Sequence, residues 1–146
     1  MDTPDSRITA MLPRLRRLAH ALVCEPAKAD ELVWAVVERA ASEIGRLRQD
    51  IGPEIQLIRM LRNLWIERRE EWQPVLPLEP TSDADKVIQA MASLPSGQRE
   101  AVALVVIDEL QYRDAADIAR VSVATLAERL VTGRSTLAAM LAETAA

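Results

Sequence analysis

The chain has 146 residues, of which 49% are hydrophobic and 27% charged, and its formal net charge is −4. This composition is typical of a folded protein and excludes a disordered, collagen-like or disulfide-rich chain. One cysteine cannot form an intramolecular disulfide, the N-terminus lacks a signal-peptide layout, and no apolar run approaches the roughly 18 residues of a membrane span. We therefore expect a cytoplasmic protein with no membrane contact.

Three amphipathic helices are predicted in the first half of the chain. Apolar residues recur at helical spacing from Ile8 to Val23, and we expect this helix to begin near Leu12, so that Pro13 falls in its first turn. Two further helices are predicted over residues 27–44 and 54–72. The glycines and proline of residues 45–53 interrupt the pattern and predict an exposed loop between them.

A proline-rich linker separates this half from four more predicted helices. Prolines at positions 74, 77 and 80 exclude a helix, and helices are predicted over residues 84–94, 97–110, 114–120 and 123–143. The apolar run 101–107 also fits a buried strand, but charged residues on both sides favour a buried helix. The sequence thus predicts an all-α protein of two small helical bundles, residues 1–72 and 83–146, joined by a linker at 73–82.

The last two predicted helices have the spacing of a helix-turn-helix unit, whose second helix enters the major groove of DNA. Ser122 is placed to cap that second helix. Gly133 lies inside it at a cost of about 1 kcal/mol relative to alanine, which indicates a bend or a close contact. A plain helical hairpin fits the same pattern.

Several motifs resemble the extracytoplasmic-function sigma factors of bacterial RNA polymerase. In the second half they are Leu94-Pro95, Gln98-Arg99-Glu100-Ala101, Tyr112-Arg113-Asp114-Ala115-Ala116 and Val121-Ser122-Val123-Ala124-Thr125-Leu126. In the first half they are residues 12–19, Ala29-Asp30-Glu31-Leu32-Val33 and residues 57–63. Two matches in the family's order are more specific than either one alone.

The resemblance implies a protein that recruits core RNA polymerase to promoter DNA, reads its −35 and −10 elements and is held by an anti-sigma factor. Polymerase would be bound by Asp30, Glu31, Trp34 and Glu38, which lie along the helix that resembles the family's polymerase-binding helix. Trp34 is equally compatible with an exposed interface and with a buried position. Trp65 continues the apolar face of its helix, which favours packing.

The resemblance also implies DNA contacts in both halves. Arg46 and Arg48 of the 46–53 loop and Asn63 would contact the −10 element. The −35 element would be contacted by Thr125, Glu128, Arg129 and Arg134. Arg129 and Arg134 are alternatively explained by pairing with Glu128 or by capping helix carbonyls. The second helix is less basic than is usual in the family, which predicts weaker DNA affinity.

A second interpretation is a sigma-like mimic that binds an anti-sigma factor without reading DNA. Residues 57–65 also resemble the corresponding helix of the general-stress sigma factors and of their mimics. Characterised mimics carry a receiver domain that this sequence is too short to hold, which favours a true sigma factor.

An enzyme is poorly supported by the sequence. His20 is the only histidine, Cys24 the only cysteine, and neither belongs to a nucleophile or metal motif. No glycine-rich phosphate loop is present. We therefore expect neither catalysis nor a cofactor.

Overall fold

All regular structure in the described part of the chain is helical. The computed structural model describes residues 4–43, 52–71 and 79–145. These residues form seven α-helices without a strand: α1 Pro4–Val23, α2 Pro26–Ser42, α3 Pro53–Glu67, α4 Asp83–Ser93, α5 Ser96–Val102, α6 Tyr112–Ala119 and α7 Val123–Ala145. The all-α prediction is confirmed. The predicted linker residues 73–78 lie outside the described residues.

The predicted start of α1 is wrong, because the helix begins at Pro4 and runs through Pro13. A proline inside a helix removes one backbone hydrogen bond and costs about 3 kcal/mol. Ile8 and Met11 are nevertheless only 7% and 8% exposed. Burying such side chains stabilises the first turns by about 1.5–3 kcal/mol each, which offsets the proline.

The apolar run 101–107 is helical, as the flanking charges predicted, but beyond α5 the turn is wider than that of an α-helix. Residues Ala103–Ile107 are π-helical, and the backbone N–H of Asp108 donates to the carbonyl of Ala103 at 2.9 Å. The wide turn ends at Asp108, whose carboxylate accepts two hydrogen bonds from Arg14 of α1, at 2.7 and 3.0 Å.

One continuous core joins the N-terminal helices (α1–α3) to the C-terminal helices (α4–α7). It includes Leu18 of α1, Leu32 of α2, Trp65 of α3, Leu104 and Leu126, all nearly inaccessible to solvent. The packing role predicted for Trp65 is confirmed. Between the two sets, α1 lies against α4, α5 and the π-helical turn, and α3 lies against α6.

A buried arginine donates hydrogen bonds to the C-terminal ends of two helices. The Arg99 guanidinium donates to the carbonyls of Met91, Ala92 and Leu94 at the end of α4, and to the carbonyl of Leu22 at the end of α1, at 2.9–3.0 Å. These carbonyls belong to helix ends, where intrahelical partners are missing. Burial lowers the pKa of Arg99. A single side chain therefore positions α4 on α1.

We expect Arg99→Lys to destabilise the fold by about 2–4 kcal/mol, because an ammonium cannot reach these acceptors in the same planar geometry. The free energy of unfolding from urea denaturation measures the loss. Arg7→Lys, at an exposed position on α1, is the control and should stay within about 0.5 kcal/mol. An Arg99→Lys protein as stable as the wild type would contradict this role.

Candidate protein and nucleic-acid interfaces

The solvent face of α2 combines carboxylates with an exposed tryptophan. Asp30, Glu31, Trp34 and Glu38 are all exposed, while Leu32, Val33 and Val36 of the same helix are buried. The Trp34 side chain is 65% exposed. Large aromatic residues of this kind are enriched at the centres of protein interfaces. The structure thus places all four predicted residues on one accessible surface, which we call the α2 face.

Asp30 is held in place by α1. Its Oδ1 atom lies 3.2 Å from both the Nε2 atom of His20 and the Nε atom of Arg16. Hydrogen bonds from His20 first, and then from Arg16, lower the pKa of Asp30. The carboxylate at this end of the α2 face is therefore ionised at neutral pH.

An apolar groove of about 540 Å³ runs between α1, α4 and the π-helical turn. One wall carries Val87, Ile88 and Ile107, whose side chains are 36–47% exposed, and the other carries Arg16, Arg17 and His20. Exposed, contiguous apolar surface of this kind marks sites of protein association. Sequence reasoning missed this groove because its walls come from residues far apart in the chain.

Cys24 lies at the edge of the groove but is chemically inert there. It is 6% exposed, adopts a left-handed backbone conformation with φ of 61°, and its thiol donates to the carbonyl of Ala21 at 3.3 Å. Burial raises the pKa of the thiol to about 11. A thiol that stays protonated is a poor nucleophile.

The predicted helix-turn-helix is formed by α6 and α7. Arg120 turns the chain in a left-handed conformation with φ of 58°, and the backbone N–H of Val121 donates to the carbonyl of Ala116 at 3.1 Å. Ser122 caps α7 as predicted, because its Oγ atom accepts from the backbone N–H of Thr125 at 3.1 Å. The Ser122 hydroxyl also donates to the Thr125 hydroxyl at 2.9 Å. Thr125 is thus part of the cap.

The exposed face of α7 is mostly uncharged. Ala124, Glu128, Val131 and Thr132 are exposed there, and Arg134 is exposed further along the helix. Arg129 is half-buried and points to α5. If Gly97 of α5 carried a Cβ atom, that atom would lie 3.2 Å from the Cζ atom of Arg129.

Gly133 lies at a close contact, which is one of the two features that its position inside a helix indicated. A Cβ atom at this residue would lie 3.1 Å from the Cγ2 atom of Val102 in α5. Real Cβ atoms rarely approach a neighbour so closely, so the glycine allows α7 to lie near α5. This packing turns the opposite face of α7, with Glu128 and Val131, to solvent.

Two arginines of α3 donate hydrogen bonds to acceptor groups on the C-terminal helices. Arg62 donates through Nε to Glu100 at 2.5 Å and through Nη2 to the carbonyl of Ala119 at 3.1 Å. Arg59 donates through Nη2 to Asp117 at 2.7 Å. Burial raises the pKa of Glu100, and the hydrogen bond from Arg62 opposes that rise.

Of the residues predicted to contact the −10 element, only Asn63 lies in the described part of the chain. Asn63 is half-buried on α3, and Arg46 and Arg48 lie outside the described residues.

Over residues 4–43, 52–71 and 79–145, no group of three His, Cys, Asp or Glu residues is arranged to hold a metal ion. Within the same ranges, no helix is both long and apolar enough to span a membrane.

Comparisons with known proteins match both sets of helices. Residues 8–62 match the family model of the Sigma2 domain of PhyR, and residues 84–137 match that of sigma-70 region 4. The chain is 32% identical over 155 residues to the ECF RNA polymerase sigma factor EcfG of Rhodopseudomonas palustris (strain TIE-1), covering 96% of this chain and 86% of that protein.

Solved structures share the fold. The sigma factor RpoE in complex with the anti-sigma factor NepR, from Bartonella quintana, superposes with a TM-score of 0.82 at 23% identity, covering 92% of this chain and 94% of RpoE. The PhyRSL–NepR complex from Sphingomonas sp. Fr1 gives a TM-score of 0.75 at 19% identity, covering 96% and 90%. Because its 32% identity to EcfG extends over most of both chains, the protein belongs to the extracytoplasmic-function sigma factors, which direct RNA polymerase to promoters for transcription initiation.

Proposed function

We propose that the α2 face is where this sigma factor binds core RNA polymerase. The observation that carries the assignment is Trp34, an aromatic side chain left 65% exposed between carboxylates. A polymerase surface that pairs with Asp30, Glu31 and Glu38 would be basic. The protein needs no catalytic group for this role, since polymerase supplies the chemistry.

We propose that α7 reads the −35 element, with its residues in different roles. Arg134 is exposed and suits a phosphate contact, whereas the Glu128 carboxylate can only accept, as from a cytosine amino group. Thr125 supports the cap. Arg129 packs against α5 and orients the helix from behind. Arg46, Arg48 and Asn63 are assigned to the −10 element by their place in the sequence.

The corresponding division of the chain is a polymerase and −10 domain at residues 1–72, a linker at 73–82 and a −35 domain at 83–146. The α2 face belongs to the first domain and the helix-turn-helix to the last. Both would act on chromosomal promoters in the cytoplasm.

We propose that the groove between α1 and α4 receives a helix of an anti-sigma factor. The similar RpoE and PhyRSL structures are complexes with NepR. An amphipathic helix would place its apolar side on Val87, Ile88 and Ile107, and an acidic edge beside Arg16 and Arg17. This occupant would hold α1 and α4 together and keep the two domains closed.

Replacing Asp30 and Trp34 together by alanine is expected to weaken binding to core polymerase at least tenfold, about 1.4 kcal/mol, because an interface anchor and its neighbouring charge are lost. Titration of labelled protein with core polymerase measures the effect. The control is Tyr112→Ala with Glu143→Ala, which also removes one exposed aromatic and one acid. Equal affinity of wild type and the Asp30/Trp34 variant would remove these residues from the interface.

Arg134→Ala is expected to lower the affinity of the holoenzyme for −35 DNA and to reduce the slope of log affinity against log salt by about 1, as for one lost phosphate contact. The measurement is a salt series of DNA binding. Arg7→Ala removes an exposed cation from α1 and should leave the slope unchanged. A slope that both variants leave unaltered would show that Arg134 meets no phosphate.

A further inference from the structure

Val131 lies at the centre of the face that α7 turns to solvent. Its side chain is 68% exposed, the highest value among the large hydrophobic residues that the structure describes as exposed. Ala124, Glu128 and Val131 follow one another at helical spacing and share one side of α7. On the opposite side, Leu130 and Gly133 are buried. Val131 therefore points away from the rest of the protein.

The centre of this face offers no hydrogen-bond donor over the first three turns of α7. Ala124 and Val131 are apolar, and the Glu128 carboxylate can only accept. Arg129 is directed to α5, where it lies close to Gly97. An arginine or lysine that donates to guanine is the commonest specific contact in the major groove. At its centre the face instead presents one acceptor and an apolar surface.

The surface beside Val131 is open and lined in part by small side chains. A recess of about 540 Å³ lies there, and its lining includes Ala124 and Ala127 of α7 and Gln98 of α5. Alanine side chains project little from a helix, so the edge of a base can approach α7 without displacing them. The valine methyl groups are thus accessible to a base in the groove.

Thymine has the one apolar group that the base pairs present in the major groove, its C5 methyl. A valine side chain neither donates nor accepts a hydrogen bond, so its contact with a base depends on apolar area removed from water. Cytosine lacks the C5 methyl and offers an amino group instead. A valine that faces the groove therefore favours thymine.

The spacing of Glu128 and Val131 matches neighbouring base pairs. The two residues are three positions apart, or ~4.5 Å along the axis at about 1.5 Å per residue. Successive base pairs are about 3.4 Å apart. If Glu128 accepts from a cytosine amino group, Val131 lies near the next base pair. The pair of side chains thus suits a cytosine and a thymine at neighbouring positions.

We propose that Val131 is a specificity-determining residue, which selects thymine in the −35 element by contact with the C5 methyl group. This inference rests on the proposed function, since it takes α7 to lie in the major groove of that element. It adds the base that is selected and the side chain that selects it. A recognition helix with few cations then chooses its promoter by an apolar contact.

The test removes the methyl group from the DNA and its partner from the protein. The probe is promoter DNA that the wild-type holoenzyme transcribes, selected from a library and synthesised with deoxyuridine in place of one −35 thymine at a time. We expect one such replacement to weaken binding of the wild-type holoenzyme about fourfold, as for the loss of one buried methyl group. The Val131→Ala holoenzyme should bind the two DNAs equally.

Val106→Ala is the matched control, because it shortens a valine that is 45% exposed on the π-helical turn, outside α7. It should keep the fourfold preference. A −35 element without a methyl-sensitive thymine, a preference that survives Val131→Ala, or one that Val106→Ala also removes would overturn the proposal.

Promoter-dependent transcription by the wild-type holoenzyme separates the two levels of the account. Its presence together with any of those three results rejects the role of Val131 and leaves the sigma-factor assignment standing. A holoenzyme that neither binds nor transcribes any promoter of the library rejects the proposed function of α7, and the thymine contact with it.

Discussion

The buried ion pair between Arg62 and Glu100 determines how the C-terminal helices lie on the N-terminal ones. The side chains are 12% and 4% exposed, so both charges have lost most of their water. Such a pair adds little net stability, but separating it inside the protein would leave two unpaired buried charges at a cost of several kcal/mol. Small displacements of one set of helices relative to the other are therefore disfavoured. The two sets of helices are either docked in this register or far enough apart for water to reach Arg62.

The groove between α1 and α4 follows from that docking. Arg14 and Asp108 fix the π-helical turn against α1, and Arg99 fixes the end of α4 beside it. The apolar side chains between these polar contacts remain open to solvent. The same docking thus forms the groove that we propose for a helical partner.

Local patterns predicted much of this structure. Helical periodicity predicted the all-α fold, and the Ser122 position predicted the cap. The glycine at 133 indicated a bend or a close contact, and the structure shows a close contact with α5. The start of α1 could not be predicted, because burial of Ile8 and Met11 outweighs the local cost of Pro13. The π-helical turn was not predicted, because the apolar run 103–107 has no local feature that distinguishes it from an α-helix.

The site was less predictable than the fold. The residues of the α2 face were expected from the resemblance to the family's polymerase-binding helix, and helical spacing predicted that they share one side, although the exposure of Trp34 was undecided. The ion pairs of Arg14, Arg59 and Arg62 join residues 38 to 94 positions apart, and no local pattern marks such partners. The orientation of Arg129 towards Gly97 has the same origin. Contacts between the two sets of helices become visible only when their packing is known.

The most direct test of this account is to mix the purified protein with core RNA polymerase, isolate the complex by size-exclusion chromatography and assay it on a promoter library. A sigma factor that uses both the α2 face and the helix-turn-helix should co-elute with polymerase and yield transcripts that depend on promoter sequence. Failure to co-elute, together with capture of an anti-sigma protein, would contradict the account and identify a sigma-like mimic that binds the anti-sigma factor without reading DNA.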